Sequence, residues 1–187
     1  MILLFPGCTI VNQVNQMANL AKCEFRIGSV TNLTLSGVSV QNIHKLSDLS
    51  IMDAQHLFRG ITGSTFPLLF TLNVDAKNPN SATAGMNRLD WILFIDDIQM
   101  TSGSIPQTVT IPPNNGVATI PIQFNLDLKK ILTEKAADAI INFGLNLAGV
   151  GNKPTRFMIK LKPTIMIGKS KVVYPGYITV KTDFVSN

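Results

Sequence analysis

The chain has 187 residues, 45% hydrophobic and only 14% charged, enough for one domain with a sizeable core and too apolar for a disordered protein. The formal net charge of +5 is unevenly spread. Residues 1–150 carry nine Lys and Arg against ten Asp and Glu, whereas 151–187 carry seven (Lys153, Arg156, Lys160, Lys162, Lys169, Lys171, Lys181) against Asp183 alone.

Two readings of that basic stretch stand. It is a solvated, lysine-rich strand face that discourages edge-to-edge pairing, or a surface that meets anionic lipid, polysaccharide or nucleic acid. Aromatic residues are thinly interleaved with it, so no nucleic acid is expected. Two cysteines cannot make a metal site alone.

The opening MILLFPGC is short and apolar and ends in Gly7-Cys8. Leu3, Leu4, Gly7 and Cys8 fit the end of a bacterial lipoprotein signal, in which the cysteine is lipidated. Phe5 and Pro6 are unusual there, and the basic n-region and full apolar run are missing. Cys8 is thus the expected lipid anchor; the competing reading is a hydrophobic N-terminal strand with an incidental cysteine. Asn12 to Lys22 is polar, without Pro or Gly, and reads as a tether with some helical character. Residues 1–22 are therefore assigned to a residual signal and tether, and 23–187 to a single domain.

Cys23 to Val30 and Asn32 to Ile43 alternate with period two, and the parity changes across Gly37, which predicts a bulge. Cys23 shares a side with Phe25 and Ile27 and is expected as a buried free thiol. From Ser50 to Ile61 the pattern turns helical. Ser50 and Asp53 form a capping box, and Ile51, Ala54, Leu57, Phe58 and Ile61 fall on one stripe.

The stretch FPLLFTLNVDAKNPN, Phe66 to Asn80, is the clearest strand. Phe66, Leu68, Phe70, Leu72, Val74 and Ala76 alternate with polar residues from Thr71 onward, and the strand stops at Asn78-Pro79-Asn80. Asn78 and Asn80 are expected to hold a turn rather than touch a ligand. Leu89 to Met100 reads as a hairpin around Asp96-Asp97, with Trp91, Leu93 and Ile95 on one face. Val109 and Ile111 continue the sheet, a loop follows at Pro112 to Gly116, and Ile120, Ile122, Phe124 and Leu126 alternate cleanly.

A second helical region is predicted after Asp127, first a short turn and then Glu134 to Leu147 capped by Thr133. Strands return from Arg156 to Phe184, with Phe157, Ile159 and Leu161 inward and Lys160 and Lys162 outward. The count is about eight strands, and the turn spacing favours a sandwich over βαβ units.

The catalytic inventory is sparse. There is no G-x-S-x-G, no H-E-x-x-H and no phosphate-cradling glycine loop, and His44 and His56 are the only histidines. No enzyme activity, cofactor, metal or small-molecule substrate is expected.

The run from Phe66 to Leu126 resembles the type-2 late-embryogenesis-abundant proteins, also called the water-stress and hypersensitive-response (WHy) domain. The matching features are the alternating strand into Asn78-Pro79-Asn80, the apolar strand Trp91 to Ile95, Gly103, Ile111-Pro112 with Asn115-Gly116, and the strand Ile120 to Leu126 followed by Asp127 to Leu132. The resemblance implies a fibronectin-III/immunoglobulin-like antiparallel β-sandwich, here with two helical insertions, and a stress-associated, non-enzymatic role. Bacterial members of this kind are often lipoproteins.

The expectation is thus a stress-protective protein of the bacterial cell envelope, tied to the membrane by lipid on Cys8. It would act through weak surface contacts by Lys160, Lys162, Lys169 and Lys171, possible partners being envelope proteins or an anionic surface. The alternative is an interaction module that docks a partner through a strand edge or the basic face.

Overall fold

The computed structural model describes residues 15–41, 48–131 and 155–184. Among the described residues, eleven strands build two facing antiparallel sheets and a small third one, as the alternation predicted for a mainly β sandwich. The first sheet has the order β2-β1-β3-β8, with β1 at Glu24–Leu35, β2 at Val38–Ser39, β3 at Pro67–Asn78 and β8 at Gly116–Asp127.

The second sheet has the order β10-β9-β5-β6, and β11 also pairs with β9. Its strands are β5 (Arg88–Ile95), β6 (Ile98–Ile105), β9 (Thr155–Ile167), β10 (Ser170–Val173) and β11 (Ile178–Phe184). The third sheet is only β4 (Ala84–Met86) against β7 (Val109–Ile111), so Val109 and Ile111 pair apart from the two main sheets instead of extending one of them. The strand count exceeds the expected eight because β2, β4 and β10 are two to four residues long, too short for an alternation to declare itself.

β3 is the central strand of the first sheet. All twelve of its residues pair with β8, and it pairs with β1 on its other side. Leu68, Phe70, Leu72, Val74 and Ala76 are buried, as the alternation requires. Thr71, on the opposite face, is also buried, and its hydroxyl accepts from Asn32 Nδ2 at 3.5 Å.

The core is aromatic at its centre. Phe70 stacks on Phe124 at 4.8 Å between ring centroids, Trp91 meets Phe124 edge-on at 4.7 Å, and Phe157 meets Phe70 edge-on at 6.1 Å. Gly103 faces Trp91 across the β5–β6 pair, where a Cβ would lie 2.5 Å from an indole carbon, so only glycine fits. Asp96 and Asp97 form the β5–β6 turn with φ of 49° and 64°, the left-handed pair that two-residue hairpins need.

Gly37 does not mark a bulge. Ser36 and Gly37, with φ of 49° and 82°, make the β1–β2 hairpin turn, and the register slips instead between Ile27 and Ser29 and between Thr31 and Thr34. A turn and a bulge both shift alternation by one residue, so parity alone does not separate them.

The longest described helix, α1 (Ile51–Thr62), carries the predicted capping box. Asp53 N–H donates to Ser50 Oγ and Ser50 N–H donates to Asp53 Oδ2, each at 3.1 Å. The Ser50 hydroxyl and backbone also hold the Asp53 carboxyl below its ordinary range. A second, one-turn helix, α2 (Leu128–Ile131), follows β8; Asp127 Oδ1 accepts from Lys129 N–H at 3.2 Å and from Phe66 N–H at 3.0 Å. The predicted helix Glu134 to Leu147 lies outside the described residues, as does Cys8.

β3 runs from α1 at one end of the sandwich to Asn78 at the other. Residues 15–20 are helical and lie at the Asn78 end. Asn19 Nδ2 donates to Thr83 O at 3.2 Å, Asn80 Nδ2 donates to Asn19 O at 3.0 Å, and Leu20 is fully buried in the core. The stretch read as a tether therefore reaches the core at Leu20. Cys23, next along, is half-buried, and burial pushes its thiol up to about 11.

Candidate functional site

The lysines singled out in the sequence converge on the outer face of the second sheet. Lys160 and Lys162 alternate with Ile159 and Leu161 on β9, so the apolar pair enters the core and the lysines point away from it. Lys171 on β10 stands opposite Met166, two positions beyond Thr164 on the same side. Lys169 is different: it sits in the β9–β10 turn after Gly168, whose φ is +61°. Three of the four residues share the face, and the fourth stands at its corner.

Cross-strand pairing adds what the local sequence hides. On one flank Lys181 of β11 stands opposite Met158, and Thr179 opposite Lys160. On the other flank β5 contributes Ile92 opposite Lys160 and Phe94 opposite Met158. The Lys160 ammonium lies 4.9 Å from the centroid of Phe94, and the Lys162 ammonium 5.1 Å from that of Tyr177. These contacts rest the lysine stems on aromatic rings while their charges stay at the surface.

The expectation that aromatics are sparse around this face holds along the chain but not across the strands. Phe94 is remote from the lysines in sequence and adjacent in the sheet, whereas Tyr177 lies within the basic stretch, just before β11. The outward parity of Phe94, next to inward Leu93 and Ile95, was the available signal.

The electrostatics of the face are uneven. Asp90 of β5 stands opposite Lys162, but its carboxylate is taken by Arg88, whose Nη2 and Nε approach Oδ1 at 2.7 and 2.8 Å. Among the described residues, Lys160, Lys162, Lys169, Lys171 and Lys181 form no salt bridge. What remains is a flat face of ammonium groups separated by Ile92, Phe94, Met158 and Tyr177, able to bind an anionic surface broadly rather than one small anion in a cleft.

The β9–β10 end of the face is tied to the Asn78 end of the sandwich. Asn87, just after β4, donates its N–H to Thr164 O at 2.8 Å and accepts from Met166 N–H at 2.8 Å through Oδ1. Lys169 and Lys171 thus lie at the same end as residues 15–22.

The remaining expected residues are structural. Asn78 is fully buried, donates through Nδ2 to Ala82 O at 3.0 Å and Ile111 O at 3.1 Å, and accepts at Oδ1 from both nitrogens of Asn80. The pair holds a turn, as read from the sequence. His56 is exposed on α1, and His44 lies outside the described residues. Asp96 Oδ1 accepts from Arg156 N–H at 2.8 Å, and the Asp97 carboxylate pairs with the Arg156 guanidinium, which ties the hairpin turn to the start of β9. Among the described residues no group of three or more His, Cys, Asp or Glu is placed to hold a metal ion. No helix among them is long and apolar enough to cross a membrane.

The described residues define the class by fold, an antiparallel β-sandwich with a lysine-bearing outer face. Residues 73–173, more than half of the chain, match the late embryogenesis abundant protein family (LEA_2), and the chain belongs to that family. Membership marks it as stress-related, in a family whose members are generally not enzymes.

Among solved structures it is similar to a protein from Archaeoglobus fulgidus, at 13% identity over 86% of this chain and 98% of that one, with a TM-score of 0.40. A provisional late embryogenesis abundant (LEA) protein known from a solution structure is 12% identical over 92% of this chain and 77% of that one, also with a TM-score of 0.40. No functionally curated protein sequence matches the chain.

Proposed function

We propose that this chain is a stress-protective protein of the water-stress and hypersensitive-response (WHy) type, anchored in a bacterial cell envelope by lipid on Cys8. In this reading it acts through weak contacts between its lysine-bearing sheet face and anionic surfaces or client proteins. The observation that carries the reading is the face itself: Lys160, Lys162, Lys171 and Lys181 stand on one flat sheet without carboxylate partners among the described residues. Contacts of this kind are individually weak and fall off with salt, as expected of a protectant that must release what it covers. The placement of Lys169 and Lys171 near residues 15–22 supports the anchor, because a chain held by Cys8 would turn that end toward acidic headgroups.

Two measurements test this. The intact mass of the protein taken from the membrane fraction of its native host should correspond to a chain that begins at Cys8 and carries added acyl mass. An unmodified chain retaining Met1 in the soluble fraction refutes the anchor. A labile enzyme dried or freeze–thawed beside the purified chain should keep more activity than beside albumin, and the advantage should shrink for Lys160→Glu/Lys162→Glu. Equal protection by albumin refutes the protective role.

A further inference from the structure

The free ammonium groups of the second sheet fall on one line. Outward positions on β9 recur every second residue, at about 6.6 Å, and the outward series runs Met158, Lys160, Lys162, Thr164, Met166. Where β9 supplies no lysine, a neighbouring strand does: Lys181 of β11 stands opposite Met158, and Lys171 of β10 opposite Met166. Lys169 continues the line in the β9–β10 turn. From the level of Met158 to that turn the row is one cation wide and about 33 Å long.

The row is bordered rather than widened. On the β5 side it meets Ile92 and Phe94, and the Asp90 carboxylate there is bound to Arg88. On the β11 side it meets Thr179 and Tyr177. Thr164 holds the remaining step. Its hydroxyl is buried and, among the described residues, without a hydrogen-bond partner, a donor left unmatched midway along the row.

A single file of cations at even steps fits a linear polymer with one negative charge per step, better than a lipid lattice or a small anion. Two residues of extended backbone and one phosphodiester unit built on three carbons each count about six chain bonds, so the two repeats match in length. Nucleic-acid bases would need ring faces on which to stack. The two rings of this face already carry ammonium groups, Lys160 at 4.9 Å from Phe94 and Lys162 at 5.1 Å from Tyr177. We propose that the β9 row binds a linear, base-free phosphodiester polymer of three-carbon polyol units, laid lengthwise along the strand with one phosphate at each cation. The proposal rests on the reading of this face as an anion contact and names the anion.

Fluorescence anisotropy of end-labelled oligo(glycerol phosphate), titrated with the purified full chain, tests it. Affinity should climb with probe length to about six repeats, where the probe spans the row, and level off beyond. Five neutralised phosphates give a salt slope of about −3.5, a loss of about a hundredfold between about 50 and 200 mM salt. Lys160→Gln/Lys162→Gln should weaken binding at least about tenfold at low salt and flatten the slope by about 1.4. Lys160→Gln/Gln123→Lys keeps the net charge but moves one lysine to the other sheet, and it should bind as weakly as Lys160→Gln alone. Unchanged Trp91 fluorescence shows that each variant stays folded. Binding that ignores probe length, or that Gln123→Lys restores, overturns the row. Tighter binding of an oligothymidylate with the same number of phosphates overturns the base-free assignment. Vesicles of acidic lipid bound through Lys160 and Lys162, with no binding of the oligomer, leave the anion contact standing and overturn this inference; binding of neither overturns both.

Discussion

Replacing Asn78 with alanine should destabilise the fold more than any single surface change. The side chain is fully buried and takes part in four hydrogen bonds, two donated and two accepted. Alanine strands the carbonyls of Ala82 and Ile111, the second beside the core. A stranded buried acceptor costs about 1–3 kcal/mol, and each lost bond contributes about 1 kcal/mol beyond that. Because the Asn80 donors can turn to water, the total falls at about 3–5 kcal/mol. For a chain of this length each kcal/mol moves Tm by about 2–4 °C, so a drop of about 10 °C is expected.

Urea unfolding followed by the fluorescence of Trp91 measures the free energy directly, and an unchanged m-value keeps the comparison valid. Asn78→Asp keeps the acceptor oxygens, loses both donors and buries a carboxylate, so it should be no milder. A loss below about 1 kcal/mol for Asn78→Ala would show that the turn stands without this side chain, and the assignment of Asn78 as structural would fail.

Other consequences are open to measurement. Gly103→Ala pushes a methyl into Trp91 and should cost about 1–3 kcal/mol with a shifted tryptophan emission maximum; an unchanged spectrum and stability would contradict the close approach. With Cys8→Ser leaving one thiol, Cys23 should react with iodoacetamide far more slowly than a free cysteine at pH 8 and accelerate as pH climbs toward about 11; free-cysteine rates would refute its burial. The Asp53 carboxyl is depressed by the Ser50 hydrogen bonds, so its contribution to α1 is present above the ordinary carboxylate value and lost as pH falls through the lowered folded value. Amide exchange in α1 should rise over that acidic window in the parent and show no such step in Ser50→Ala/Asp53→Asn. Pro121 stands on the open edge strand β8, where it withholds an N–H from any added strand; Pro121→Val should promote concentration-dependent light scattering, and a clear solution would mean the edge is guarded by other means.

Much of the fold was legible because the information is local. β3 packs one face on the core along its whole length, so its alternation declares it, and Asp96-Asp97 and Ser50-Asp53 are short-range signals of turn and cap. The α1 stripe shows the limit of such signals: Ile51, Phe58 and Ile61 are exposed, and the buried residue of the helix is Gly60. Amphipathicity states that a helix has an apolar side, and which element lies against that side is decided by a tertiary contact. Here a Cβ on Gly60 would lie 2.4 Å from Ser36 Oγ and 2.6 Å from a Phe66 ring carbon, so the backbone rests on the β1–β2 turn and beside the start of β3. The lysine face was half legible for the same reason. Outward parity placed Lys160 and Lys162, but Ile92 and Phe94 join them only through the pairing of β5 with β9, which no short window of sequence contains.

The seat of α1 at the start of β3, with residues 15–22 at its far end, has a mechanical meaning. A pull applied between the N-terminal segment and α1 runs along β3, about 40 Å of strand at the usual rise, and parallel to its neighbours. The hydrogen bonds that join β3 to β1 and β8 lie across that direction. They are loaded in shear, all at once, rather than peeled one after another. A molecule strung between those two points would carry tension as a lap joint does and would yield late.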